Sequence, residues 1–172
     1  MATTTFAQAG PSEPSTPWPA PAIEASTHGA IAFCQVYYET YDEPLRRVSE
    51  IPLLYHPGAK LIWNGNLVPT TSTELTAWLE AFPYSRHDLQ TLDCHPAESP
   101  TPTSPPDLIV NVTGSVFSGP ASFPLHGTSG ANQPNPDKAR KFHQMFMLRA
   151  VAGEGGLQPM YKIQTNNFRY IG

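Results

Sequence analysis

The sequence predicts an α+β domain, three N-terminal helices followed by a run of antiparallel strands; a sheet strongly bent around those helices would form a cone. Three observations carry the α+β prediction. Helical periodicity stops near Pro83, and everything after it alternates as strands between proline- and glycine-rich breaks. Helices first and strands afterwards is the α+β layout. The strand "KFHQMFMLRA" is apolar on both faces, so both faces expect cover, and the helices can cover only one.

The elements follow in chain order. Residues 1–22 include "GPSEPSTPWPAP"; proline and small polar residues cannot offset ordering entropy, so this segment is expected as a disordered tail before a domain spanning 23–172. A first helix is expected over 23–42, with Ile31, Cys34, Tyr38 and Tyr41 at helical spacing and Ser26 and Thr27 as cap candidates. A short second helix starts at Glu43-Pro44, since proline suits a first turn, and carries Leu45, Val48 and Ile51 before Pro52 limits it. "KLIWNGNLVP" is an apolar run that turns through Asn64, Gly65 and Asn66. This suits a tight hairpin with positive φ, with Trp63 packed in the sheet. Thr71 and Glu74 fit a capping box ahead of Leu75, Trp78, Leu79 and Phe82 at i, i+3, i+4 and i+7, and Pro83 stops this helix.

Four strands remain, over 86–95, 108–117, 140–150 and 159–171. In the second, Leu108, Val110, Val112 and Val116 share a face. In the third, Phe142, Gln144, Phe146 and Leu148 share one face and His143, Met145 and Met147 the other. A sheet-to-sheet partner is one cover for that second face; a layer built by the long loops is the alternative. Those loops, about 97–107 and 118–139, are long insertions for a compact domain.

Composition sets wider bounds. A chain of 172 residues with 40% hydrophobic content can bury one sizeable core. No apolar run reaches a membrane span, and the N-terminus lacks the basic start and apolar stretch of a secretory signal. An intracellular protein with Cys34 and Cys94 reduced is expected. The net charge of −4 is unevenly spread: residues 1–107 hold 12 acids and 4 bases, residues 108–172 hold 2 acids and 6 bases. The basic C-terminal part is too weakly charged to assign nucleic-acid binding by itself. His and Cys lack compact zinc spacing, and neither a phosphate-cradling glycine loop nor a catalytic Ser or Cys motif is present, so no metal or cofactor is expected.

"FHQMFMLRA" followed by "YKIQTNNFRYI" resembles the last two strands of the nuclear transport factor 2 family. "LIWNGN", "DCHP" and "FCQVYYETYDEPLRRVSEI" resemble its export branch, the small partner of the mRNA export receptor, over about residues 30–172. The long insertion at 118–139 resembles the fungal form of that small subunit, whereas the carrier of the small GTPase Ran has acidic residues in that loop and this chain has only Asp137 there. The resemblance implies a cone-shaped sheet around three helices and a non-enzymatic subunit that pairs through its outer sheet face with the matching domain of the large export receptor. It further implies RNA bound through the heterodimer, contact with Phe-Gly nucleoporins, cargo of mRNA and also ribosomal particles, no membrane, and shuttling between nucleus, nuclear pore and cytoplasm. It implies that Arg169 of the terminal Phe-Arg pair reaches an acidic partner residue. Asn167, on the same strand face, and His143, Met145 and Met147 are the other expected interface residues. Lys138, Arg140 and Lys141 flank the insertion and are the candidates for phosphate contact.

The rival reading is an isomerase or dehydratase, because enzymes of this fold use acids, His and Tyr inside the cone. Its candidates here are Tyr37, Tyr38, His87, Asp88, Asp93, His95 and His143. A homodimeric Ran carrier is the other alternative.

Overall fold

The structure, a computed structural model, describes residues 18–97, 105–120, 122, 138–151 and 160–171. The expectations for tail residues 1–17, for 98–104 and for most of the 118–139 insertion lie outside the described residues. Helices α1 (Ala20–Asp42) and α2 (Pro44–Glu50) lead through a short 3-10 helix (Ile51–Leu54) into strands β1 (Tyr55–Trp63) and β2 (Asn66–Val68). Helix α3 (Ser72–Glu80) follows, then β3 (Ser85–Pro96), β4 (Leu108–Ser118), β5 (Arg140–Val151) and β6 (Met160–Tyr170). The six strands of the described residues form one curled sheet in the order β2-β1-β6-β5-β4-β3, with the helices on its concave side.

The sheet is mixed rather than antiparallel. β3 to β6 form an antiparallel meander, but β1 runs parallel to β6, Lys60 beside Thr165 and Ile62 beside Asn167. A parallel pair cannot be closed by a short hairpin, and these two strands are separated by most of the chain, so no turn constrains their direction.

Helix α1 begins at Ala20, ahead of the expected residue 23. Pro21 lies in its first turn, where a missing N–H costs nothing. Ser26 and Thr27 are therefore interior residues, not caps; Thr27 Oγ1 donates back to the Ile23 carbonyl at 3.0 Å. The buried face of α1 is Ala30, Phe33, Cys34, Tyr37, Tyr38 and Tyr41, a cleaner i, i+3, i+4, i+7 stripe than the expected one, and Ile31 is exposed. In α2 the expected Leu45 points to solvent at 82% exposure, while Arg47 is buried at 1%. The capping box of α3 is not made: Thr71 Oγ1 bonds the Glu74 carboxylate at 2.5 Å, and no side chain caps the helix backbone.

Trp63 packs in the sheet corner as expected. Its ring stacks on Phe168 at 3.9 Å and meets Trp78 and Phe82 edge-on. The two-residue turn behind it has φ of 48° at Asn64 and 82° at Gly65, the left-handed geometry that Asn-Gly supplies. Asn64 also tethers β6: its N–H donates to the Phe168 carbonyl at 2.8 Å and its Oδ1 accepts from the Tyr170 N–H at 3.0 Å.

Gly114 marks the tightest contact between β3 and β4. A Cβ there would press on the Asp88 carbonyl oxygen and lie 3.0 Å from the Phe142 ring. Gly114→Ala should force the strands apart at the β3 irregularity between Leu89 and Thr91. The expected loss is about 1–3 kcal/mol, as for other overpacked cores. Urea unfolding checks it; an unchanged midpoint would show that the bulge absorbs the methyl.

Candidate functional site

The strand register lays the outer sheet face out in rows. One row runs Thr91, Thr113, His143, Arg169 across β3, β4, β5 and β6. The next runs Asp93, Asn111, Met145, Asn167 and reaches Ile62 on β1. A third runs His95, Ile109, Met147, Thr165 and ends at Lys60. Arg169, Asn167, His143, Met145 and Met147 thus stand together on the convex face, opposite the buried Phe142, Gln144, Phe146 and Phe168. Met147 is 38% exposed, and no described element of this chain packs over it. An open cleft of about 490 Å³ beside the β1–β2 turn is lined by Ile62, Asn64, Gly65, Asn167, Arg169 and Tyr170.

Lys138, Arg140 and Lys141 are exposed; Lys141 stands at the edge of this face, and Arg140 has the opposite strand parity, that of Phe142. Arg140 holds its guanidinium 3.4 Å above the centre of the Tyr170 ring. Lys141 Nζ donates to Gln90 Oε1 at 3.1 Å. Only the Lys138 side chain of the three has no recorded partner among the described residues.

The cone interior is filled. Tyr38 donates to Gln144 Oε1 at 2.7 Å, and the Gln144 amide donates to Asn166 Oδ1 at 2.8 Å. The Asn166 amide in turn donates to the Tyr55 and Tyr37 hydroxyls at 2.8 and 3.2 Å. Burial pushes the Tyr37 hydroxyl up to about 12 and raises Tyr38 and Tyr55 as well, so these phenols stay neutral. Each polar atom in the chain of contacts is used by a neighbour, which suits buried amides held as structure.

The enzyme candidates converge only in part: Tyr38 and His87 meet with ring centroids 5.1 Å apart and line one cleft, and the others lie elsewhere. Tyr37, Tyr38 and His87 face the concave side, while Asp88, Asp93, His95 and His143 lie on the convex face. Asp93 and His95 do meet, at 3.0 Å, but as an exposed surface pair. His87 instead pairs with Asp42, which the sequence reading missed. The signal was available, because Asp42 is one helical turn beyond Tyr38 on the same face of α1. Nδ1 of His87 lies 2.7 Å from Asp42 Oδ1, and the His87 N–H donates to Oδ2 at 2.7 Å. Ser85 Oγ donates to Oδ1 at 2.9 Å and accepts from the buried Arg47. A surface cleft of about 350 Å³ between α1 and β3 opens on this pair, with Ile31, Cys34, Gln35 and Leu89 on its walls. A carboxylate–histidine pair can move a proton; this one also ties α1 to the start of β3.

Burial raises the Asp42 carboxyl, but the bonds from His87 and Ser85 outweigh it and hold the group below its ordinary value of 3.8. A depressed carboxyl contributes stability above its unfolded value and loses it as pH falls through its folded value. Stability should therefore drop with acid from about pH 4 downward. Asp42→Asn should cost about 1–3 kcal/mol at pH 7 and flatten that acid limb. Denaturant midpoints at pH 3 to 7 test this; an Asp42→Asn curve parallel to wild type would assign the acid loss to other carboxylates.

Burial also raises the thiols, Cys34 to about 12 and Cys94 to about 11, and both are free. Among the described residues no group of three His, Cys, Asp or Glu is placed to hold a metal ion, and no helix is long and apolar enough to cross a membrane.

The family model of the nuclear transport factor 2 (NTF2) domain matches residues 29–126, from the middle of α1 into the segment after β4. The chain belongs to the nuclear transport factor 2 family. NTF2-related export protein 1 of Bos taurus is 30% identical over 149 residues, covering 86% of this chain and 90% of that protein. Among solved structures, the NTF2-like fold recurs in the C. albicans Mtr2–Mex67 M domain complex, with 15% identity, a TM-score of 0.56 and coverage of 84% and 95%. It recurs equally in a protein from Novosphingobium aromaticivorans designated a scytalone dehydratase, at 10% identity, TM-score 0.59 and 88% coverage of each chain. At these identities the two structures speak for the NTF2-like fold and not for an activity.

Proposed function

We propose that this NTF2-like chain is the non-enzymatic small subunit of a heterodimer that carries mRNA, and also ribosomal particles, through nuclear pores. Its outer sheet face docks on the matching domain of the large export receptor. The observation that carries this reading is the contrast between the two sides of the sheet. The concave side, where an enzyme of this fold would work, is packed with aromatics and mutually satisfied amides, apart from the surface cleft at Asp42 and His87. The convex side presents Met145, Met147, Ile109 and Ile62 with polar neighbours, uncovered by any described element. An apolar strip with a polar rim is how a protein interface is built. The similarity to named export proteins supports the same reading.

Co-expression with the large receptor's matching domain, followed by size-exclusion chromatography with light scattering, tests it. A soluble one-to-one complex is expected, with the lone chain binding an apolar dye through its open face. A lone chain that stays monomeric at high concentration, binds no dye and ignores the receptor domain would refute the assignment.

In this reading the heterodimer passes the pore through Phe-Gly nucleoporins and shuttles between nucleus and cytoplasm. Lys138, Arg140 and Lys141 are the phosphate contacts of the small subunit. Changing all three to Ala should flatten the salt dependence of RNA binding by the heterodimer, by up to about one logarithmic unit per lost phosphate contact. Filter binding across a salt series measures it, and an unchanged slope removes these side chains from the RNA surface.

A further inference from the structure

The cleft between α1 and β3 holds a buried hydrogen-bond acceptor that no described residue uses. The His87 side chain is only 4% exposed, and it lines this cleft. Asp42 is held ionised, so its oxygens can only accept, and the 2.7 Å contact to His87 Nδ1 fixes a proton on that nitrogen. In the neutral ring Nε2 is then an acceptor. Nε2 has no hydrogen-bond partner among the described residues. Nor is it one of the sealed, unpartnered side-chain atoms, which are Ser26 Oγ, Tyr41 Oη and Arg149 Nε among the described residues. Its open side is the cleft. A buried acceptor is normally matched, and here the donor has to come from outside the chain.

The walls say what that donor is attached to. Glu39 stands exposed on the rim, one turn of α1 before Asp42, and no Lys or Arg lines the cleft. Gln35 turns its amide nitrogen to Glu39 at 3.0 Å, and the Tyr38 hydroxyl points away to Gln144. Lone pairs and negative charge are what remain. The apolar part is supplied by Ile31 on α1 and by Leu89 and Leu92 on β3; Ile31 and Leu89 are 49% and 38% exposed. A volume of about 350 Å³ is at the small end for ligand pockets and suits a single ring or short chain.

We propose that this cleft binds a small primary amine with an apolar body. The ammonium donates to His87 Nε2 in the field of Glu39 and Asp42, and the body lies between Ile31 and Leu89. An anion would meet two carboxylates and no cation, which rejects it. Asp42 acts here as a positioning residue, because it sets the tautomer that leaves Nε2 open. The cleft is on the helix side of the sheet, so the site is independent of what docks on the convex rows.

Benzylamine is the probe. Benzyl alcohol, benzyltrimethylammonium and benzoate are its counterparts: a neutral donor, a cation without a donor, and an anion. Amide shifts of the ¹⁵N-labelled full chain, at about pH 7.5 where the amine is charged, read binding. Benzylamine should bind in the millimolar range, the scale for about eight non-hydrogen atoms, with shifts centred on residues 31–42 and 87–92. Benzyl alcohol should bind more weakly, and the other two should leave the cleft unshifted. His87→Phe keeps a ring against Tyr38 and Phe142 but removes the acceptor, and should weaken benzylamine about tenfold or more. Glu39→Gln, on the exposed rim, should weaken benzylamine roughly threefold and leave benzyl alcohol unchanged. If His87→Phe does not fold, Ile31→Arg decides: it puts a cation on an exposed wall and should abolish the amine shifts. The proposal is overturned by an absence of cleft shifts at about 50 mM benzylamine. It is overturned equally by benzoate or benzyltrimethylammonium matching benzylamine, or by a folded His87→Phe or Ile31→Arg that binds as wild type does.

Discussion

Arg169→Ala should weaken the heterodimer by roughly two to three decades in dissociation constant. Arg169 is exposed on β6 between two residues that face inward, Phe168 and Tyr170, and it borders the cleft beside the β1–β2 turn. In the proposed complex its planar fork meets a partner carboxylate with two parallel bonds, which a lysine could not reproduce. Truncation leaves that carboxylate buried and unpaired. Breaking such a pair costs about 3–5 kcal/mol, and about 1.4 kcal/mol is one decade. Arg169→Asp should be worse, because two carboxylates then oppose each other. Titration calorimetry against the receptor domain is the measurement; an unchanged affinity takes Arg169 out of the interface.

The largest effect on the lone fold is expected at Arg47. Its guanidinium is buried and spends its donors on three backbone carbonyls and a serine. Nε bonds the Tyr41 carbonyl at 2.5 Å, and one terminal nitrogen bonds the Phe82 and Pro83 carbonyls at 3.2 and 2.9 Å. The other reaches Ser85 Oγ at 3.1 Å. Arg47 thereby fastens the end of α1, the loop after α3 and the start of β3 to one another. Arg47→Ala strands these acceptors in the interior, at a cost of about 3–5 kcal/mol. For a domain of this size that is a Tm lower by roughly 10 °C. Arg47→Lys should recover little, since a single ammonium cannot span the carbonyls. Thermal unfolding decides it; a variant within about 1 °C of wild type would mean that water replaces the guanidinium.

The strands and the Trp63 hairpin were legible because their signals are local. Period-two alternation, proline breaks and an Asn-Gly turn are written in adjacent residues. The parallel pairing of β1 with β6 was not, since strand direction across a long sequence gap leaves no mark on either strand. The exposure of Leu45 and the burial of Arg47 were not legible, for a related reason. Apolar spacing favoured Leu45, but what buries Arg47 is a set of carbonyls some 35 residues downstream, which no window around α2 contains. Ile31 was taken for core because it continued a plausible helical series; the true stripe, through Ala30 and Phe33, is set by where β5 places Phe146. The docking candidates share a face because alternation along one strand is exact in the sequence, and their neighbours across strands became visible only with the register. Asp42 and His87 were each within reach, but their pairing is a tertiary fact.

The tether at Asn64 bears on how fast a partner can be captured. With Phe168 stacked under Trp63, the Tyr170 amide held by Asn64, and Arg140 lying on the Tyr170 ring, the backbone that presents Arg169 has few conformations left to give up. A surface pre-organised in this way loses little ordering entropy on docking. Capture of the partner should then be limited by encounter and desolvation rather than by strand formation, and release should require the whole rigid strip to separate at once.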